Sequence, residues 1–441
     1  MSVSILRGRS LSFREVPRSH TDAASYNFQE DGAIAVRDGL IAASGSFSAI
    51  REQFSGAEII DHRPNLILPG LIDTHLHFPQ VQVIGSFGAK LLDWLHTYTF
   101  VEEQKFANPA HCERMATHFF DNLLRNGTTT AVAYCSVHRT SAEAYFAEAE
   151  RRNLRMIGGK VMMDRNAPDA LCDTPQSGYD DSKDLIARWH GRGRAHYAIS
   201  PRFAITSTPT QLEMAQALKA EHPDCYFQTH LSENDAEIKL TLELYQSARD
   251  YLDVYQMYDL LGDRSLFGHC IHLGGRERAA MAESRSVAVF CPTSNLFLGS
   301  GLFDEDGLRS RGVRTAVATD IGGGTSYSML RTLDEAYKVL QLRNQVLNPL
   351  KSFYMMTLGN ARALKLEHKI GTLEQGSEAD IVVMDARATA AMALRMETVE
   401  TLPEELFVLQ TMGDDRAVAA VYVAGKASHP DFNGPKHLYR R

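Results

Sequence analysis

The sequence predicts an α/β protein: a (β/α)8 barrel of the TIM type joined to a small β-domain that draws strands from both chain ends. Three observations predict it. Eight short apolar runs alternate with helix-like segments across residues 69–367, the pattern of parallel strands connected by helices. Polar residues close nearly every one of those runs, where a barrel gathers its functional groups. The flanks, residues 1–68 and 368–441, instead carry short alternating segments punctuated by Gly and Asp, as β-rich modules do.

Taken in order, SVSILRG, GAIAVRDGLIAASG and AEIIDH supply strands to the first flank. The barrel opens on LPGLIDTHLHFPQ, residues 68–80. Strands two to eight follow as TTTAVAYCSV, RMIGGKVMMD, AHYAISPRF, CYFQTHLSE, SLFGHCIHL, SVAVFCPTSN and RTAVATDIGGG. Helices such as PAHCERMATHFFDNLLRNG, SAEAYFAEAERRN and TPTQLEMAQALKAEHP lie between them. ADIVVMDA and AVAAVYVAGKAS then return to the style of the first flank. A doubly wound open sheet is the alternative, but no GxGxxG follows the first strand. Gly322-Gly323-Gly324 is a local turn, since no Gly-Lys-Ser/Thr follows it to make a P-loop.

Composition narrows the partners. The 441 residues are 44% apolar and 23% charged with a net charge of −8, ordinary for a globular protein. No dense basic stripe invites nucleic acid, and Lys436, Arg440 and Arg441 are too few to change that. No run reaches the roughly 18–20 apolar residues of a membrane span. The opening MSVSILRGRSLSF lacks the long apolar stretch of a signal peptide. Six scattered cysteines without a CxxC pair suit reduced thiols in the cytoplasm; Cys270 and Cys291 read as core packing.

The strand ends carry the chemistry. His75 and His77 sit at i and i+2 of the first strand, so both imidazoles leave one face and reach one metal ion. Strand four ends in Arg202-Phe203, strand five in His230 with Glu233 three residues on, strand six in His269 and strand eight in Asp320. Three His and one Asp form a donor set suited to Zn²⁺ or Fe²⁺, and a metal held this way lowers the pKa of its water towards ~7. His269 fits either a ligand or a partner of that water. Glu233 fits a proton shuttle. Each has a plainer reading: a solvated strand end for His75 and His77, a packed histidine for His230 or His269, a helix cap for Asp320, a first-turn acid for Glu233. Strand four offers no lysine to bridge two metals, and Lys160 on strand three is no substitute, so one metal is expected.

These residues resemble the amidohydrolase superfamily, whose members share the PGLID-x-H-x-H opening, later His, His and Asp at strand ends, and a β-sandwich made from both chain ends. The segments KLLDWLHTYTFVEE, SPRFAITST, HLSEN, CPTSNLFLGSG, ATDIGGGTSYSML and MTLGNARALKLEHKIGTLEQGSEADIVVMD are similar to the guanine deaminase family within it, from about residue 66 to 385. The resemblance implies metal ligation by His75, His77, His230 and Asp320. It implies purine recognition by Gln80, Arg202 and Phe203, with Trp94 and Leu95 enclosing the base. The stretch Val101-Glu102-Glu103 departs from relatives that carry Pro after Phe, and is read as a loop without chemical consequence.

Guanine suits these side chains. Its O6 and N7 accept two parallel hydrogen bonds from a guanidinium such as Arg202. Gln80 offers a donor and an acceptor, and Phe203 and Trp94 can lie against the ring faces. A structural salt bridge is the plainer role for Arg202. The implied activity is that of a hydrolase acting on C–N bonds of cyclic amidines: zinc-dependent deamination of guanine to xanthine and ammonia. Hydroxide attacks C2, His269 orients it, and Glu233 and Asp320 move protons. Rival substrates are triazines, pterins, cytosine or adenosine-like compounds, and a metal-free scaffold without activity is the rival of another class. A cytoplasmic homodimer with one zinc per subunit completes the expectation.

Overall fold

The computed structural model describes residues 3–88 and 90–428. Lys436, Arg440, Arg441 and the last part of the second flank lie outside the described residues.

Eight parallel strands follow one another around the barrel: Leu71–His77, Thr128–Tyr134, Arg155–Gly159, His196–Pro201, Tyr226–Leu231, Ser265–His269, Val287–Phe290 and Arg314–Val317. The eighth closes on the first, with the Asp320 N–H donating to the His75 carbonyl at 2.9 Å and the His77 N–H to that of Ile321. In the first strand Ile72 joins the barrel's own core while its neighbour Leu71 packs in the larger cluster with the helices; a register shift between Asp73 and Leu76 breaks the alternation, so that Leu76 packs with the helices as well. Interior residues such as Val132, Ile157, Leu266 and Val289 pack with Leu364, Leu366 and Ile370, so the barrel is filled rather than open.

The helices begin where the sequence marks them. Asn108 accepts hydrogen bonds from the Ala110 and His111 amides at the start of the helix Pro109–Arg125, with Pro109 in its first turn. Cys112, Met115, Phe119 and Leu123 then recur on one face and are buried. Thr174-Pro175 and Thr208-Pro209 open two further helices in the same way.

Asn360 seals the barrel where its first and last strands meet. Its Nδ2 donates to the carbonyls of Ile72 at 2.7 Å and Val317 at 2.8 Å, and its Oδ1 accepts from the Val317 amide at 3.0 Å. The residue is fully buried, so removing the side chain takes a hydrogen bond from three backbone groups, of which the Val317 carbonyl keeps the Thr74 hydroxyl at 3.1 Å. Asn360→Ala is expected to cost on the order of 3 kcal/mol, read as a lowered urea midpoint.

The two flanks meet in one seven-stranded sheet, separate from the barrel and largely antiparallel. Ile381–Met384 from the second flank pairs with the end of Glu58–Pro69 from the first, which in turn pairs with Ser4–Phe13. The sequence RDGL turns between Tyr26–Arg37 and Leu40–Ser46 with Asp38 at φ 53° and Gly39 at φ 81°, the two positive values a tight hairpin turn requires. Arg155 and Arg194 of the barrel grip Glu378, and Arg194 also grips Asp380, next to that sheet. Among the described residues no helix is long and apolar enough to cross a membrane.

Candidate active site and metal centre

The strand ends bring His75, His77, His230, His269 and Asp320 to one point. His75 and His77 Nε2 each lie 3.4 Å from Asp320 Oδ1, and His77 Nε2 lies 3.1 Å from His230 Nε2. The His230 Nδ1 sits 2.7 Å from the Arg202 carbonyl, which can only accept. That bond fixes the tautomer and leaves a lone pair on Nε2, the arrangement a metal-ligating histidine needs. His75 Nε2 is buried with no hydrogen-bond partner. Three converging ring nitrogens, one of them orphaned, beside a carboxylate are the donor set of a divalent metal, so the residues present fit one.

Electrostatics agree with ligation. Burial lowers the pKa of His77 to about 4 and of His269 to about 3, and burial with the neighbouring imidazoles drives His230 well below its ordinary value. The rings are neutral and free to ligate. Burial opposes charge on Asp320, but the His75 and His77 ring nitrogens 3.4 Å away outweigh it and hold the carboxyl well below the usual range. Cys291 also comes within 4.8 Å of His75, His269 and Asp320. Burial raises its thiol well above the ordinary value, so it stays protonated and serves as packing, as does Cys270.

Holding these groups strains the backbone. His269 and Asp320 adopt φ 72° and φ 53°, a left-handed conformation that costs non-glycine residues of order 1 kcal/mol each. Asp73 ties the strand ends together, accepting from the Thr319 amide at 3.1 Å and from its hydroxyl. Gly268 leaves room for His75: a Cβ there would lie 2.4 Å from the ring's Cε1. Gly268→Ala is therefore expected to displace the ring and weaken divalent-metal affinity by about 10–100-fold, read by metal titration.

His269 stands beyond Asp320, its Nε2 3.8 Å from Oδ2 and 3.3 Å from Glu233 Oε2, with Asn295 Nδ2 2.9 Å from its Nδ1. Glu233 lies one residue before the helix cap Asn234, not in the first turn. It is 2% exposed and receives the Ser300 hydroxyl at 3.0 Å. Burial, then the charges of Glu237 and Asp320, raise its pKa well above the ordinary range, which favours the protonated carboxyl. Glu237 is the first-turn acid, and it accepts from the Glu233 amide at 2.9 Å. His272 bonds the Ser300 carbonyl and stands outside the cavity lining.

The cavity over this cluster has about 400 Å³ of space including its mouth. Gln80, Trp94, Leu95, Arg202, Phe203 and Glu233 all line it, as do Leu91 and Leu298. The segments Leu91–Trp94, Leu95–Thr99 and Phe100–Glu103 run as consecutive helical turns beside it, with the Trp94 indole N–H donating to the Ser86 carbonyl at 3.1 Å.

The structure corrects the reading of Val101-Glu102-Glu103. These residues are helical, and Glu103 is buried and bound to both Arg202 and Gln80. The salt bridge that was the plainer role for Arg202 therefore exists, on an arginine that also lines the cavity. Gln80 is also less free than expected, since its Oε1 accepts the Gly322 N–H at 3.2 Å. Tyr134 was passed over as well. It ends strand two and stacks on His77 at 4.6 Å between centroids; a polar residue closing an apolar strand was the signal. Lys160 is occupied elsewhere, bonding Asp173 at 2.5 Å.

The chain matches the amidohydrolase family over residues 66–428. It is 45% identical to the guanine deaminase of Escherichia coli K12 over 94% of each chain. The solved E. coli guanine deaminase superposes with a TM-score of 0.94 over 96% of this chain and 99% of that one. Guanine deaminase from Bradyrhizobium japonicum is 37% identical with a TM-score of 0.95, covering 98% of this chain and 100% of that one. A 28% identical guanine deaminase from C. acetobutylicum, with guanine bound in its active site, superposes with a TM-score of 0.86 over 97% of this chain and 100% of that one. A barrel with converging His and Asp at its strand ends, and these matches along nearly its whole length, agree: the chain belongs to the amidohydrolase family, with guanine deaminases among its similar members.

Proposed function

We propose that this enzyme hydrolyses the C2 amino group of guanine, yielding xanthine and ammonia. The observation that carries the reading is the union, in one cavity, of an Arg202–Gln80 donor wall, the buried Glu233 and His77, His230 and Asp320, with His75 Nε2 3.4 Å from the Asp320 carboxylate. Relatives of high identity that act on guanine support it.

Zinc held by His75, His77, His230 and Asp320, or iron(II) on the same donors, would act as a Lewis acid on water and bring its pKa towards ~7. Arg202 holds the O6 and N7 edge of the base, and Gln80 adds its remaining N–H. Phe203, Trp94 and Leu95 enclose the rings and exclude water. Glu233 gives its proton to ring N3, which makes C2 more electrophilic as water adds there. Asp320 takes the proton that the water loses, and His269, between Glu233 and Asp320, orients the nucleophile. The proton on Asp320 then passes to the amino group, which leaves as ammonia, while the C2 hydroxyl gives its proton to the Glu233 carboxylate and becomes the carbonyl of xanthine.

The same reading places one zinc per subunit of a cytoplasmic homodimer. Six free cysteines support a reducing compartment. The test is ammonia release from guanine against a triazine, a pterin, cytosine and adenosine. Guanine is expected to lead in kcat/KM; faster turnover of another ring would overturn the assignment, and a purified chain without stoichiometric metal would favour the inactive scaffold.

A further inference from the structure

Glu103 takes no part in the chemistry above, yet it is 1% exposed and lies directly behind the recognition wall. Its Oε1 accepts from Gln80 Nε2 at 3.0 Å and from Arg202 Nη1 at 2.8 Å, and its Oε2 accepts from the same Nη1 at 2.8 Å. Gln80 is thus held at both ends, because the Gly322 amide fixes its Oε1. The amide cannot turn over without facing a donor to Gly322 and an acceptor to Glu103. What Gln80 keeps for a ligand is its second N–H and the second lone pair of Oε1, on an amide whose orientation is fixed. A guanidinium carries no acceptor at all, and Glu103 engages Arg202 through Nη1 only, leaving its other nitrogens for the cavity.

Charge matters as much as geometry. Arg202 is 3% exposed, and a buried guanidinium without a counterion would draw an anionic ligand. The Glu103 carboxylate neutralises it.

We infer that Glu103 is a positioning residue for substrate choice: it fixes the Gln80 amide and makes the recognition wall donor-rich and electrically neutral, so that the site favours a neutral purine with an oxo group at position 6 over one with an amino group there. The inference deepens the guanine deaminase reading and rests on it. A 6-amino group would meet N–H donors with its own N–H, leaving buried donors unpaired. In Glu103→Gln one carboxylate oxygen becomes an NH₂ that faces Arg202 Nη1 or Gln80 Nε2, donor against donor, and the counter-charge is lost. Gln80 or Arg202 is then released to reorient.

The matched probe is 2,6-diaminopurine, which keeps the departing C2 amino group and N3 and changes the substituent at position 6. Metal-loaded wild type, Glu103→Gln and Glu103→Ala are assayed on it and on guanine, with melting temperature and metal content measured for each. In both variants KM for guanine is expected to rise by about tenfold or more with a smaller change in kcat, and the guanine preference in kcat/KM to fall by at least about tenfold. A folded, metal-loaded variant that keeps the wild-type preference within about twofold overturns the inference, as does equal loss on both bases. Failure of both variants to fold with metal overturns it in favour of a purely structural ion pair. A wild-type chain inactive on guanine overturns the deaminase reading itself, whereas an active wild type whose variants keep its preference overturns only the role of Glu103.

Discussion

Glu233→Gln is expected to lower turnover of guanine by about 10²–10⁴-fold, the range for removing a general acid–base group. The substitution keeps the size of the side chain and an oxygen to accept the Ser300 hydroxyl 3.0 Å away, so the loop keeps its shape. What it removes is the exchangeable proton. Burial, with Glu237 and Asp320 nearby, favours the protonated form of Glu233, and an amide cannot replace its proton. The loss therefore belongs in kcat, with KM, melting temperature and metal content close to wild type. A large rise in KM with kcat unchanged would mean that Glu233 binds the base rather than protonates it.

His230→Ala is expected to abolish stoichiometric metal and to lower turnover by at least about 10³-fold, since metal activation of water is worth several kcal/mol. His230 is the proposed ligand whose orientation the structure explains most fully, with its Nδ1 on the Arg202 carbonyl and its Nε2 3.1 Å from that of His77. Two facing nitrogens and the orphaned His75 Nε2 are poorly satisfied without a cation. Chelation of the wild type should therefore lower its melting temperature as well as its activity, and added zinc should restore both. Metal content by elemental analysis, melting curves and ammonia release check all three. A chelated chain with unchanged melting and turnover would contradict the metal centre.

The parts legible in the sequence are those that rest on local periodicity. His75 and His77 share a face because strand side chains alternate, and the apolar runs before His230, His269 and Asp320 announce buried parallel strands. The Pro and Asn or Thr pairs at helix starts are equally local. The parts that were not legible depend on long-range meeting. Glu103 and Arg202 lie 99 residues apart, and nothing near either one names the other. A weaker signal was present: Leu91, Trp94, Leu95, Thr99 and Glu103 are all buried, so the acid continues the apolar stripe of its helical turns, and a charge in such a stripe requires a partner. Asn295 and Ser300 reach His269 and Glu233 from the segment after strand seven; only the folded barrel brings them there. The double engagement of Gln80 belongs to the same class, because Gly322 approaches it from the turn after strand eight.

In the proposed complex one cavity holds the O6 and N7 edge of guanine on Arg202 and presents C2 to the metal and Glu233. A crystal structure of metal-loaded Glu233→Gln with guanine tests it most directly. The predicted result is a single metal on His75, His77, His230 and Asp320, O6 and N7 facing Arg202, and N3 beside residue 233. Guanine bound with its O6 edge towards the histidines, or a metal held by other residues, would contradict it.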